Sequence, residues 1–172
     1  MLDTTPQHPL RSEIEGRLMM HGATDAGLLA ALDQVLDHFS CAAGTIHDLD
    51  PQSGLLRFRA GRGIPDSILD RVRTVPVGKG MAGLAAQRRL PVQVCNLQTD
   101  CSGAAQPGAR DTRMEGSIAV PMLAADQLRG VLGVAKPVAY EFTQADTALL
   151  LDVASAIGNF LGPRGRDAER AP

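Results

Sequence analysis

The sequence predicts an α+β domain organised on an antiparallel sheet, and three observations carry that prediction. Runs that alternate polar and apolar residues come in pairs closed by turn residues, helical periodicity is concentrated at the two ends, and no strand-helix-strand unit repeats. A chain of 172 residues is enough for one domain. The expected bounds are a flexible N-terminus over residues 1–9, a single domain over 10–161, and a flexible tail over 162–172, where Gly, Pro and charge dominate.

Each element follows from local chemistry. Leu10, Ile14, Leu18 and Met19 recur at a helical period, and a second helix opens at a Thr24/Asp25 cap and runs through Leu28, Leu32, Val35 and Phe39. "AGTIHDLD" and "LLRFRA" alternate around Asp50, Pro51 and Gly54, which reads as a hairpin. "IPDSILDRV" gives a short helix entered at Pro65, "TVPV" a strand, "MAGLAAQRR" a helix of about two turns, and "PVQVC" another strand. A long polar loop covers Asn96 to Arg113. "GSIAVPML" and "LRGVLGVAKP" make a second hairpin, which brings the sheet to about six strands, and a final helix follows Thr143, with Asp146 placed for a capping box.

"GKGMAG" contains a full GxGxxG, Gly78, Gly80 and Gly83. A dinucleotide cradle would need a helix of three or more turns after the glycines and further strand-helix units beyond it. Here Pro91 stops the helix after about nine residues and a hairpin follows, so the glycines are expected to supply positive φ and close backbone approach instead.

Composition removes whole classes of function. A net charge of -2 with both signs interspersed leaves no basic stripe for nucleic acid. No apolar run reaches the roughly 18 residues of a membrane span and there is no leader, so a cytoplasmic location is expected. Three cysteines are expected to be free thiols. No CxxC, HxxxH or HExxH occurs, so no metal or other cofactor is expected; Cys41 reads as helix-end packing and His47 as a strand-face histidine. Ser117 lacks the G-x-S-x-G setting of a nucleophile.

Taken in order, "VPVGKGMAGLAAQRRLPVQV", "SIAVPML", "LRGVLGVAKP" and "EFTQADTALL" resemble the GAF domain family over Thr24 to Leu161. The resemblance implies a GAF-like central antiparallel sheet with the terminal helices on one face and a pocket roofed by short helices and a long loop on the other. Cyclic-nucleotide-binding members carry an Asn-Lys and a later Phe-x-x-x-Asp-Glu. This chain has Ala135-Lys136 and Phe142-x-x-x-Asp146-Thr147, so only Lys136 and Asp146 remain, read as an ion pair between the last strand and the last helix. Bilin-binding members want a pocket cysteine followed by histidine, but Cys95 precedes Asn96 and Cys101 precedes Ser102. Free methionine-(R)-sulfoxide reductases resemble Gly-Val-Cys-Gly and Cys-Asp where this chain has Gly80-Met81-Ala82-Gly83 and Arg110-Asp111, so Asp111 is kept, both cysteine positions are empty, and that chemistry would need Cys95 and Cys101 as substitutes.

The loop is too long and too polar for a mere connector. Cys95, Asp100, Cys101, Arg110, Asp111, Thr112 and Glu115, with Ser117 at the next strand, form an inventory able to hold a zwitterion or carboxylate, so a small polar metabolite is the expected ligand. The reading is a stand-alone sensory or regulatory domain without catalysis. Two alternatives remain: a thiol-dependent reductase using Cys95 and Cys101, and a structural dimerisation domain with a vestigial pocket. Leu18, Met19, Leu149, Val153, Ile157, Phe160 and Leu161 form apolar stripes on the terminal helices, and similar domains pair through such helices, so a homodimer or a separate signalling partner is expected.

Overall fold

A computed structural model describes residues 7–162. The chain forms helices α1 (Pro9–His21) and α2 (Asp25–Phe39), strands β1 (Ala43–Asp50) and β2 (Leu55–Arg62), α3 (Asp66–Val72), β3 (Thr74–Pro76), α4 (Gly80–Arg88), β4 (Val92–Val94), β5 (Ser117–Ala124), β6 (Gln127–Ala135) and α5 (Gln144–Phe160). A 3₁₀ turn, Pro107–Thr112, lies inside the long loop, which the polar composition had concealed. Among the described residues no helix is long and apolar enough to cross a membrane.

The six strands form one sheet in the order β3-β2-β1-β6-β5-β4, with every neighbouring pair antiparallel. The two hairpins lie side by side, β1 against β6, and the three-residue strands β3 and β4 form the edges. Alternation then sorts the side chains by face. Ile46, Val120, Leu132 and Val134 join Ile14, Leu32, Val35, Leu150, Val153 and Ile157 in a large core beneath α1, α2 and α5. On the other face a smaller core sets Ala85 and Ala86 of α4 against Leu56, Val92, Ala119 and Val131.

Caps fix the helix starts as the sequence indicates. The Thr24 hydroxyl accepts from the Gly27 amide at 3.1 Å. At α5 the Asp146 amide donates to Thr143 Oγ1 at 3.1 Å while the Thr143 amide donates to the Asp146 carboxylate at 3.0 Å, a complete capping box. Asp146 does not pair directly with Lys136. The Lys136 ammonium donates to the Phe39 carbonyl and lies over the Tyr140 ring, and the Tyr140 hydroxyl donates to Asp146 at 2.8 Å, so the tyrosine sits between the two charges.

The start of the first helix and the burial of the terminal-helix stripe differ from expectation. The first helix begins at Pro9, because His8 Nδ1 caps the Leu10 amide at 3.2 Å, so residues 8 and 9 are structured; residues 1–6 and 163–172 lie outside the described residues. The terminal-helix stripe is largely consumed internally, with Leu18, Val153, Ile157 and Leu161 buried in the chain's own core. Met19 at 77% and Met20 at 81% exposure remain outside it.

Candidate functional site

The GxGxxG segment builds one wall of a cavity. Gly78 and Gly80 take φ of 91° and 62°, which turns the chain from β3 into α4. A Cβ at Gly83 would lie 2.4 Å from the Pro76 carbonyl oxygen, so α4 can rest on the strand end only because that position is bare. No side chain caps α4, and Lys79 occupies its cap position.

Between this wall, the sheet and the long loop is a cavity of about 210 Å³. Thr45 and His47 of β1 form part of its floor, with Ser117, Ile118, Ala119 and Gly133 to Ala135 from β5 and β6. Ile64, Ile68, Arg71, Val72 and Val75 line one side, Lys79 to Ala82 another, and Leu97, Ala105, Gln106, Gly108, Ala109, Thr112 and Met114 form the roof. Hydrocarbon dominates the wall. At a water's share of roughly 30 Å³, the space equals about seven waters and is smaller than the sites that hold drug-sized molecules.

Of the side chains singled out in the sequence, the structure brings Thr112 and Ser117 onto the wall. Cys95, Asp100, Cys101, Arg110, Asp111 and Glu115 do not line it. Asp100, Cys101 and Arg110 make their contacts within the loop. The Asp100 carboxylate accepts from the Ser102 hydroxyl at 2.9 Å and its amide at 3.0 Å, which hold it below the usual carboxylate range. Arg110 donates to the Asp100 carbonyl at 3.3 Å, and Asp111 lies 4.0 Å from Arg71. The loop is polar toward solvent and apolar toward the cavity.

The sequence reading passed over His47, Arg71 and Lys79 as cavity residues. His47 is 2% exposed. Its Nε2 lies 2.7 Å from the Val72 carbonyl, an atom that can only accept, so Nε2 carries the proton. Nδ1 is then an acceptor, and it is buried without a hydrogen-bond partner among the described residues. Burial holds the imidazole below its ordinary pKa, against the Val72 bond and the Asp48 charge. A signal for His47 was present in the strand alternation, which puts it in phase with Thr45 and out of phase with core Ile46.

A second, open cleft borders Arg57, Arg59 and Arg73, but its guanidinium groups are committed to Asp50, to Asp25 and Asp48, and to Asp70. Among the described residues, no group of three or more His, Cys, Asp and Glu side chains is placed to hold a metal ion.

The three cysteines are free thiols. Cys95 and Cys101 are exposed, while burial pushes the Cys41 thiol up to about 11, opposed by the Lys136 charge and aided by that of Asp146. At about pH 8 a bulky disulfide reagent should therefore modify Cys95 and Cys101 in the native protein and reach Cys41 only on unfolding. Mass spectrometry of the labelled protein checks this, and rapid native labelling of Cys41 would contradict it.

The fold recurs in solved structures. The chain is similar to the GAF domain of an Acinetobacter phosphoenolpyruvate-protein phosphotransferase, with a TM-score of 0.69 at 17% identity, over 90% of this chain and 94% of that one. It is similar to the free methionine-R-sulfoxide reductase of Neisseria meningitidis, solved in complex with its substrate, with a TM-score of 0.70 at 18% identity, over 88% and 86%. The A. aeolicus nlh2 GAF domain in an inactive state gives 0.67 at 19%, over 89% and 91%. No curated protein matches the sequence. Identities this low speak for the fold alone, but the family model of the GAF domain matches residues 25–161 directly, and the chain belongs to the GAF domain family.

Proposed function

We propose that this chain is a regulatory domain that binds a small molecule, without catalysis of its own, in the cavity beneath the 96–113 loop. The observation that carries this reading is the preformed hollow itself, whose mainly apolar wall carries a few polar side chains from β1, α3, the α4 turn and the loop. The ligand that suits such a wall is part apolar and small. Thr112 and Ser117 are the members of the sequence-derived set within reach of it, while Asp100 and Arg110 make hydrogen bonds within the loop.

Binding is favoured over sulfoxide reduction by the position of the thiols. A nucleophilic thiolate must touch its substrate, and no cysteine lines the cavity. Pairing of two copies, or a separate partner chain, as the route by which binding is relayed belongs to the same proposal, with Met19 and Met20 the apolar side chains still exposed on α1.

The test is native mass spectrometry of the full chain after exposure to a metabolite extract. The expected result is a mass increment of one small molecule, lost when Ala119 is enlarged to Leu to fill the floor. Spectra identical to buffer across extracts would remove the proposal, and sulfoxide turnover abolished by Cys95→Ser or Cys101→Ser would replace it with the reductase reading.

A further inference from the structure

We propose that the molecule this cavity takes is a flat, uncharged aromatic of about eight to ten non-hydrogen atoms, laid face down on the sheet. This rests on the cavity being the binding site.

The floor sets the shape. Strand register places Ala43 of β1, Ala135 of β6 and Ser117 of β5 in one row across three strands, and Thr45, Gly133 and Ala119 in the next. All six line the cavity. With strands about 4.8 Å apart and same-face residues about 7 Å apart, the two rows cover roughly 10 by 7 Å, the footprint of one fused pair of rings. Nothing bulkier than a threonine rises from that area, so a ligand keeps contact across it only if its own underside is flat. Thr45 Oγ1 lies 3.4 Å from where a Cβ on Gly133 would stand, which sets one hydroxyl beside the ring for a single N–H or O–H group.

The walls set the polarity. Ile68, Val75 and Leu97 offer hydrocarbon, and Met81 and Met114 bring thioether sulfur, which packs well against aromatic rings. Most polar groups of the wall are already occupied within the chain. Thr112 Oγ1 donates to the Ala109 carbonyl at 2.6 Å and accepts from the Met114 amide at 3.2 Å, while Ser117 Oγ donates to the Val134 carbonyl at 3.3 Å. His47 Nε2 donates to the Val72 carbonyl, and its Nδ1 is enclosed by protein, so neither nitrogen is offered to a ligand. Arg71 and Lys79 are exposed, and water serves their charges. An ionised ligand would give up its hydration to enter such a space, whereas a neutral ring gives up none.

The volume sets the size. A hydrocarbon-lined cavity of about 150 Å³ binds benzene, so about 210 Å³ suits a ring with a few further atoms and has no room for a nucleotide.

The test uses indole as the probe. The chain contains no tryptophan, so indole excited at the red edge of its absorption reports on itself alone. Titrating the full chain into indole should move its emission to the blue and saturate at one indole per chain, with a Kd below about 1 mM. Competition against bound indole then ranks other compounds. Benzyl alcohol should compete at least about threefold better than cyclohexylmethanol, which has the same number of non-hydrogen atoms and is more apolar but is not flat. It should also compete at least about tenfold better than benzoate, which is flat but charged. A Cβ on Gly133 meets nothing nearer than 3.4 Å, so Gly133→Ala keeps the fold and raises the floor; it should weaken indole binding at least about threefold, and Gly133→Val should abolish it. Circular dichroism of both variants checks that the fold is kept, and the ranking of compounds on the unaltered chain depends on neither.

An unmoved indole emission, cyclohexylmethanol or benzoate competing as well as benzyl alcohol, or undiminished binding in a folded Gly133→Val would each overturn the inference. Native mass spectrometry separates the two levels. A retained metabolite that is charged or not flat, and is lost in Ala119→Leu, overturns this inference and leaves the binding reading intact, whereas no retained metabolite together with no indole shift takes both down.

Discussion

Gly83→Ala should lower the stability of the domain by about 2 to 4 kcal/mol, or roughly 5 to 15 °C in Tm. The added methyl would sit 2.4 Å from the Pro76 carbonyl oxygen and 3.1 Å from the Gly78 amide nitrogen, and both are backbone atoms that cannot swing aside. Relief requires α4 to lift from the end of β3, which breaks its contact with Leu56 and Val131. Gly80→Ala is the informative control. Its methyl would meet the flexible Gln106 side chain at 3.2 Å, and the φ of 62° adds strain of about 1 to 2 kcal/mol, so the cost should be smaller. Thermal unfolding of the two variants checks the order. Wild-type stability in Gly83→Ala would show that close approach is not the reason for the glycine.

Leu132→Ala should cost about 3 to 5 kcal/mol. Leu132 is 1% exposed in the middle of β6, paired across the ladders with Ile46 of β1 and Val120 of β5, and it belongs to the core under α1, α2 and α5. Strands on both sides are held by hydrogen bonds, so the backbone cannot collapse into the space left behind. Leu90→Ala offers the contrast, since Leu90 is largely exposed and its truncation should stay within about 0.5 kcal/mol. Urea melts of the two variants give the comparison directly. A shift below about 1 kcal/mol at Leu132 would mean that the central strands can repack.

Much of the fold was legible because it is written locally. Asp50, Pro51 and Gly54 mark the first hairpin, Thr24 and Thr143 mark helix starts, and Asp146 closes the capping box three residues into α5, all without reference to distant contacts. The glycine motif was legible for the same reason: Pro91 and the hairpin beyond it forbid a long helix.

The cavity was not legible residue by residue, because its wall is assembled from segments far apart in the chain. Polarity directed attention to Asp100, Arg110 and Asp111, but in a folded loop the charged groups turn to water and Leu97, Ala105, Ala109 and Met114 turn inward. Of the loop's polar side chains Gln106 and Thr112 reach the wall, and the other polar side chains there come from elsewhere, from Thr45 and His47 of β1, Ser117 of β5, Arg71 of α3 and Lys79 in the glycine turn. Only the alternation of β1 carried advance notice of His47. The Lys136 and Asp146 pairing failed for a related reason. Tyr140 intervenes in space, and nothing in the spacing of the two charges reveals a third side chain between them.

The sheet's outermost strands have a bearing on how the protein behaves when concentrated. Each offers three residues, Pro76 has no amide proton to give, and Pro91 stands immediately before the other rim. Molecules colliding side to side thus find too little unpaired backbone to zip together, and fibril growth by strand addition is starved at its first step.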